Sequence, residues 1–275
     1  MNDAQTKAQR ALTRLLEIMR RLRDPQTGCP WDREQDFASI APYTIEEAYE
    51  VADAVARGEP RALEAELGDL LFQVVFHAQL GAERAWFDFA SVADSISNKL
   101  TERHPHVFAD VQIASSAEQN RAWEEHKARE RATRADEAPS ELADVPLALP
   151  ALARAAKLGK RAGRVGFDWP DAQGVRAKIA EELQEADEVA ADVPARRSEE
   201  LGDLLFATAN WARHLDINPE EALRRANEKF ERRFRAMEGL AAARGLVLKT
   251  LDAAAWDSLW NAVKSAEKTG DSDVQ

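Results

Sequence analysis

Two stretches of the sequence, EELGDLLF (199–206) and AELGDLLF (65–72), combine acids with an apolar run that is typical of a protein interior. In each stretch a Glu and an Asp stand three apart, namely Glu66 with Asp69 and Glu200 with Asp203. On a helix, residues three apart share one face. Carboxylates this close to a core are costly to desolvate unless a positive charge meets them.

Each of these stretches follows an upstream Glu-Glu-x-x-Glu motif, so two facing helices would bring four carboxylates together. The acids in question are Glu47, Glu50, Glu66 and Asp69 in the first half and Glu182, Glu185, Glu200 and Asp203 in the second. Like charges at this spacing raise one another's pKa unless a cation lies among them. Oxygen ligands without His or Cys suit Mg²⁺ or Mn²⁺. The pattern predicts a divalent-metal cluster in each half, or in one half with a relic in the other.

Two other interpretations compete with a magnesium cluster. The acids could be the solvated faces of Glu-rich helices, but a solvated face does not demand the same apolar flank twice. A di-iron bundle needs a Glu-x-x-His motif. None of the five histidines lies three residues after a Glu; they are His77, His104, His106, His126 and His214.

Cations that could meet a phosphate group are concentrated in the second half. They are Lys178, Arg196, Arg197, Lys229, Arg232 and Arg233. A solvated basic helix face is the alternative for these residues, but beside a four-carboxylate site they form a candidate triphosphate clamp. Trp260 either stacks on a base or fills a helical core.

The elements that must position these residues are helices, because Ala, Leu, Glu and Arg dominate and apolar residues recur at spacings of three and four. The predicted helices span 10–22, 44–57, 61–81, 88–103 and 118–133, then 150–163, 173–191, 196–215, 219–243 and 252–266. Matching motifs recur roughly 130–137 residues apart, which indicates a duplicated unit. The sequence therefore predicts an all-α protein of two tandem related domains, with a four-helix-bundle-like metal site. We expect a first domain at 1–130, a linker at 131–149 and a second domain at 150–275.

Composition excludes several classes of partner. The 275 residues carry 37 basic and 49 acidic side chains, a formal net charge of −12, whereas nucleic-acid binding normally leaves a basic footprint. No run of 18 apolar residues is present, so no membrane span is expected. The polar N-terminus and the single Cys29 favour a cytoplasmic protein without disulfides.

Motifs spread over roughly residues 10–265 resemble the MazG-type nucleoside triphosphate pyrophosphohydrolases in their two-domain bacterial form. They are LRDPQTGCPWDREQ (22–35), APYTIEEAYEV (41–51), ELGDLLFQVVFHAQ (66–79), RHPHVFAD (103–110), VGFDW (165–169), EELGDLLFATANWARH (199–214) and NEKFERRFR (227–235). The resemblance implies an all-α NTP pyrophosphatase fold, a homodimer, and Mg²⁺-dependent hydrolysis of NTP or dNTP to the monophosphate and pyrophosphate. It also implies Glu182, Glu185, Glu200 and Asp203 as metal ligands, Lys178, Lys229, Arg232 and Arg233 on the phosphates, and Trp260 at the nucleotide.

The two halves differ around their acids, and this difference predicts which half is catalytic. Asn210 follows Asp203 by seven residues where the first half has Phe76; the first half likewise has Tyr43 in place of Lys178 and Glu102 in place of Arg232. We therefore expect catalysis in the second half, with Glu182 or Glu185 taking the proton of the attacking water. The first half is then a weak second site, a regulatory pocket or a dimer scaffold. The rival functions are a nucleotide- and Mg²⁺-sensing regulatory or partner-binding module without turnover, and a purely structural bundle.

Overall fold

A computed structural model describes residues 3–109, 115, 140–189 and 193–270 of the chain. Within these residues the structure contains helices and turns and no strand, so the all-α prediction is confirmed. The chain divides into two compact units, Met1–Arg134 and Ala135–Gln275, called here the first unit and the second unit. The predicted helix at 118–133 and residues 131–139 of the predicted linker lie outside the described residues.

The first unit is organised around a pair of long helices that carry its acids. Its helices are α1 (Asp3–Leu22), α2 (Pro30–Glu34), α3 (Phe37–Arg57), α4 (Pro60–Glu83), α5 (Phe89–Arg103) and α6 (Pro105–Phe108). Only Gly58 and Glu59 separate α3 from α4, and Gly58 has a φ of 66° that permits the tight reversal. A connection this short makes α3 and α4 an antiparallel hairpin. The core beneath it consists of Met19, Ile40, Val75, Phe76 and Leu80.

The second unit repeats this hairpin and adds a second pair of helices. Its elements are α7 (Ala151–Gly163), α8 (Ala172–Glu188), α9 (Pro194–His214), α10 (Pro219–Ala243), a 3₁₀ turn (Leu248–Thr250) and α11 (Ala253–Gly270). Helices α8 and α9 pack closely and carry the acids, and α7 packs against α9. A separate apolar cluster between α10 and α11 contains Met237, Ala241, Leu259 and Val263.

The longer described helices follow the predicted spans, although α1 and α3 begin earlier, and the short helices α2 and α6 have no predicted counterpart. Helix α1 begins at Asp3 instead of residue 10, and α3 begins at Phe37 instead of residue 44. In α3 the reason is a capping box: the Asp36 carboxylate accepts from the Ser39 amide at 2.8 Å, while the Ser39 hydroxyl accepts from the Asp36 amide at 2.9 Å. This box satisfies the first amides of the helix, and Pro42 is accommodated inside it.

Candidate active site

Local sequence signals begin the two helices that carry the acids of the second unit. The Asp171 carboxylate caps α8 by accepting from the Gly174 amide at 2.8 Å. Pro194 occupies the first turn of α9, where a missing N–H is tolerated. The acids of α8 lie on one face of that helix and face the N-terminal half of α9.

Three of the predicted ligands in the second unit come together. Glu182, Glu200 and Asp203 each offer a carboxylate oxygen, and the three oxygens lie within 4.8 Å of one another. Glu182 is only 5% exposed, and its Oε2 is buried without a hydrogen-bond partner. A buried carboxylate oxygen without a hydrogen-bond partner is energetically costly. A hard divalent cation bound by these three carboxylates would offset that cost, and their oxygens are the ligands such a cation prefers.

Glu185 lies at the edge of this set. It is exposed, and it is not among the three acids whose oxygens cluster most tightly. Partial desolvation and the nearby Glu182 and Glu200 carboxylates raise the pKa of Glu185, while Lys178 opposes that rise. Glu185 therefore belongs to the same electrostatic environment but keeps access to solvent.

Two of the predicted phosphate-binding cations lie directly beside the acids. The Lys178 ammonium lies 2.8 Å from a Glu182 oxygen and 2.8 Å from a Glu181 oxygen. Its hydrogen bonds to these two glutamates raise the pKa of Lys178. Arg196 lies 3.5 Å from Glu200, and its neighbour Arg197 is exposed. The second unit thus supplies positive charge at the rim of its acid set.

Asn210, which follows Asp203 by seven residues and is a candidate nucleotide-binding residue from the sequence, lies inside the unit. It is completely buried, its amide donates to the Phe206 carbonyl at 3.0 Å, and its Oδ1 accepts from Arg213 at 3.0 Å. The seven-residue spacing from Asp203 does return to nearly the same helical face. However, it also moves about 10 Å along α9, where that face meets Gly159 of α7 and not the acids.

The remaining predicted nucleotide ligands form a second cluster, on α10 and α11. Arg233 donates to Glu267 at 2.8 Å, Arg232 lies 3.5 Å from the same carboxylate, and Arg233 also lies over the Trp260 ring at 5.6 Å. Trp260 packs on the apolar cluster of these helices and contacts Phe230 with ring centroids 5.9 Å apart. Lys229 is exposed nearby in sequence. The described contacts of these residues are within this cluster and not with the acids.

The first unit builds a corresponding acid set with different surroundings. Oxygens of Glu47, Glu66 and Asp69 lie within 4.8 Å of one another. A hydrogen bond with Glu66 raises the pKa of Glu50, while burial and the Asp69 and Glu50 carboxylates raise the pKa of Glu47. Across the described ranges no Lys or Arg forms an ion pair with these four acids, in contrast to the second unit.

Sequence reasoning missed several polar residues on or beside the helices that carry the acids. Gln73, which is 6% exposed, opposes the rise in the pKa of Glu47, and its Oε1 has no hydrogen-bond partner. Asp168, Arg213 and His214 form a connected network at the end of α9. A signal for this network was available: Gly159 and Gly163 stand four apart in a helix, and a one-sided pair of glycines marks a close approach of another element.

Comparison with known proteins decides the family. The model of the MazG nucleotide pyrophosphohydrolase domain matches twice, at residues 35–108 and 171–237, which together are just over half of the chain. The chain belongs to the MazG family. Each match to the MazG domain contains one acid hairpin, so the internal duplication read from the sequence is a duplication of this domain.

MazG relatives cover nearly the whole chain. A protein of Escherichia coli (strain K12) named nucleoside triphosphate pyrophosphohydrolase is 52% identical over 260 residues, which are 93% of this chain and 98% of that protein. A nucleoside triphosphate pyrophosphohydrolase/pyrophosphatase MazG of Thermotoga maritima is 42% identical over 93% of this chain and 96% of its own length. A solved structure of a mazG-related protein from Thermotoga maritima matches 42% of this chain and 98% of its own, with 31% identity and a TM-score of 0.36. None of the described helices of this MazG chain has the length and apolar character needed to cross a membrane.

Proposed function

We propose that the second unit hydrolyses nucleoside triphosphates, both NTP and dNTP, to the nucleoside monophosphate and pyrophosphate. Water adds to the α-phosphorus, the bond from this phosphorus to the oxygen shared with the β-phosphorus breaks, and pyrophosphate leaves. The observation that carries this proposal is the buried Glu182 carboxylate, whose Oε2 has no hydrogen-bond partner while Glu200 and Asp203 converge on it. The names of the MazG relatives give the substrate class and the reaction.

The donor set suits Mg²⁺, with Mn²⁺ as a second possibility, held by Glu182, Glu185, Glu200 and Asp203. All four donors are carboxylates, and a set of hard oxygen donors without His or Cys suits these ions. When bound, such ions polarise the phosphate oxygens, lower the pKa of the attacking water and neutralise the leaving pyrophosphate.

The side chains divide the remaining work. Glu185 is exposed and forms no ion pair within the described part of the chain, whereas Glu182 is held by Lys178. Glu185 is therefore the better placed of the two to accept the proton of the attacking water. Lys178 and Arg196 stand beside the acids and supply counter-charge to a triphosphate.

We assign a role in nucleotide binding to the cluster on α10 and α11. Arg232 and Arg233 share Glu267, which leaves guanidinium N–H groups available to phosphate oxygens. Trp260 offers an aromatic face beside Arg233 for the base, and exposed Lys229 adds charge. Asn210 serves packing in this proposal, because it is completely buried.

The assembly that we propose is a homodimer. Both acid hairpins leave leucines of the repeated LGDLLF segment exposed, with Leu67 at 49% and Leu71 at 42% on α4, and Leu201 at 52% and Leu205 at 50% on α9. Exposed apolar stripes of this kind mark protein interfaces, and their presence on a duplicated element suits a symmetric partner. Light scattering at micromolar concentration tests this: a monomeric mass with full activity would contradict it.

The decisive experiment for the reaction is a nucleotide panel with Mg²⁺ and identification of the products. We expect monophosphate and pyrophosphate from the first turnover, and loss of activity with a chelator. In ¹⁸O-labelled water the label should enter the monophosphate if attack occurs at the α-phosphorus. Primary release of diphosphate and orthophosphate would overturn the assignment, and bound nucleotide without any product would indicate a sensing module instead.

A site variant connects the reaction to the acid set. Asp203→Asn removes one negative charge while keeping the shape of the side chain, and we expect it to lower kcat by about 100-fold or more. A fully active Asp203→Asn protein would show that this acid set is not the catalytic site.

A further inference from the structure

A network of charged side chains lies at the end of α9 in the second unit. Arg213 donates two hydrogen bonds to the Asp168 carboxylate, at 2.8 Å and 2.5 Å, and His214 lies 2.9 Å from the same carboxylate. The three side chains are 18%, 23% and 14% exposed, respectively, for Arg213, Asp168 and His214. This is a planar, two-bond Arg–carboxylate pair in a largely dehydrated place, which fixes orientation as well as distance.

The location of the network matters more than its strength. Asp168 lies in the loop between α7 and α8, three residues before Asp171, the cap of α8. Arg213 lies in the last turn of α9. The chain itself joins the other ends of α8 and α9 through residues 189–193. The Asp168–Arg213 pair therefore connects the start of α8 to the end of α9, at the open end of the hairpin that carries the acids. This contact is called here the joint.

Helix α7 is shaped to admit this network. A Cβ added at Gly163 would lie 2.7 Å from Asp168 Oδ2, and one added at Gly159 would lie 1.7 Å from Asn210 Oδ1. Asn210 in turn accepts from the Arg213 Nε at 3.0 Å. Two glycines one turn apart thus clear the space that the carboxylate and the amide fill.

The first unit has an ion pair at the corresponding place, but the arginine precedes its first acid helix and the carboxylate lies at the end of its second. There the arginine, Arg23, follows α1, and the carboxylate, Glu83, ends α4; the two hydrogen bonds are 2.7 Å and 2.6 Å. Arg23 also donates to the carbonyl of Asp32 and, at 3.2 Å, to that of Gln35 in the segment just before α3. Both units thus tie the start of the first acid helix to the end of the second, although the sign of each partner is reversed.

We propose that Asp168 is a positioning residue for catalysis, whose pairing with Arg213 fixes α8 against α9 so that Glu182 and Glu185 meet Glu200 and Asp203. The inference rests on the proposed function of the second unit. A carboxylate set needs its members placed to within a fraction of an ångström, and small displacements at a distance reduce rates strongly. The pair at the open end of the hairpin supplies that constraint.

Two variants of the joint and one matched control test this proposal. Asp168→Asn removes the charge at constant shape, and Gly163→Ala displaces the Asp168 carboxylate without changing any charge. Glu83→Gln breaks the counterpart pair in the first unit and controls for a general loss of stability. For each protein the measurements are kcat, KM, the Mg²⁺ concentration for half-maximal activity, Mn²⁺ binding by electron paramagnetic resonance, and the melting temperature.

At 20 °C we expect both joint variants to be folded, with kcat lowered about 10- to 100-fold. The Mg²⁺ concentration for half-maximal activity should rise several-fold and Mn²⁺ binding should weaken, while KM at saturating Mg²⁺ changes little. Glu83→Gln should melt at a lower temperature with wild-type kinetics. If Asp168→Asn fails to fold, Gly163→Ala decides.

Two results would overturn the positioning role. One is a lower melting temperature for both joint variants with wild-type kcat and Mg²⁺ dependence, which is what a purely structural pair predicts. The other is an equal loss of kcat in Glu83→Gln. These results can be distinguished from a failure of the proposed reaction site. An active Asp203→Asn protein would contradict the catalytic site, whereas an inactive Asp203→Asn protein with normal joint variants would contradict only the positioning role of Asp168.

Discussion

Asn210 and Phe76 occupy the same position in the two acid-bearing hairpins, seven residues after the last acid, and both side chains are completely buried. In the first unit the Arg23 guanidinium lies 5.4 Å from the centre of the Phe76 ring. In the second unit the Arg213 guanidinium donates to the Asn210 amide oxygen at 3.0 Å. One interior position thus meets an arginine in both units, through a ring in one and an amide in the other.

This arrangement predicts a sharp difference between two glycines of the second unit. Gly159→Ala places a methyl group 1.7 Å from Asn210 Oδ1, so the network must shift, and we expect a loss of about 1–3 kcal/mol in the free energy of unfolding. Gly202→Ala, with open space around the added carbon, should gain up to about 1 kcal/mol from helix propensity. Urea denaturation compares the two. Equal stability would mean that Asn210 does not fill the space beside Gly159.

Acid should weaken the second unit in a defined pH window. The hydrogen bonds from Arg213, opposed by desolvation and assisted by His214, lower the pKa of Asp168 from 3.8 to about 2. Because the folded-state pKa is lower, the stabilisation is present above about pH 4 and is lost as the pH falls toward 2. After allowance for solvent screening it amounts to about 1–2 kcal/mol.

The measurement is the urea midpoint of the wild type and of Asp168→Asn between pH 5 and pH 2. We expect the two curves to approach each other at the acid end, because the wild-type carboxyl is then about half protonated in the folded state and most of the stabilisation from its charge is lost. A constant separation across the window would contradict an ionised Asp168 as the source of the difference.

The sequence was sufficient for the long helices and for the convergence of three acids in each unit, but not for the short helices α2 and α6 or for the neighbours of the acids. Spacing of three and four places Glu200 and Asp203 on one face whatever the tertiary structure, since this is a local property of the helix. The fate of Asn210 depends on what lies opposite, about 10 Å further along α9, and that is set by the packing of α7. The Asp168–Arg213 pair joins residues 45 apart in sequence, beyond the reach of any periodic signal.

The first unit should respond to divalent cations through its stability. The pKa of Glu47 and that of Glu50 are raised above 4.5, so without a cation the folded state holds protons that the unfolded state releases. Stability of the metal-free protein should therefore fall as the pH rises from about 4.5 through these raised values. Mg²⁺ or Mn²⁺ should restore it at neutral pH, because the cation replaces the missing protons.

Asp69→Asn is the variant that isolates this effect. Removal of one of the three clustered carboxylates should flatten the pH dependence and reduce the metal-induced rise in melting temperature. Glu64→Gln, at an exposed position of the same helix, should leave both unchanged. A metal-induced rise of the same size in Asp69→Asn and wild type would place the responsible cation elsewhere.

The last prediction decides between the two units. Glu185→Gln should lower kcat by about 100-fold or more, because a side chain that acts on the water or on a bound cation works in the transition state as well as in binding. Glu50→Gln, its counterpart in the first unit, should keep kcat near the wild-type value. Both are measured with one nucleotide, after circular dichroism and light scattering show unchanged folding and assembly.

The expected asymmetry follows from what surrounds each glutamate. In place of Lys178 the first unit has Tyr43, whose ring contacts Trp31 at 6.1 Å between centroids and brings no charge to the acids. A triphosphate at the first acid set would therefore meet four carboxylates without the cation that the second set has in Lys178. Equal losses in Glu50→Gln and Glu185→Gln would instead indicate one pocket shared between a first and a second unit. Loss in Glu50→Gln alone would move catalysis to the first unit.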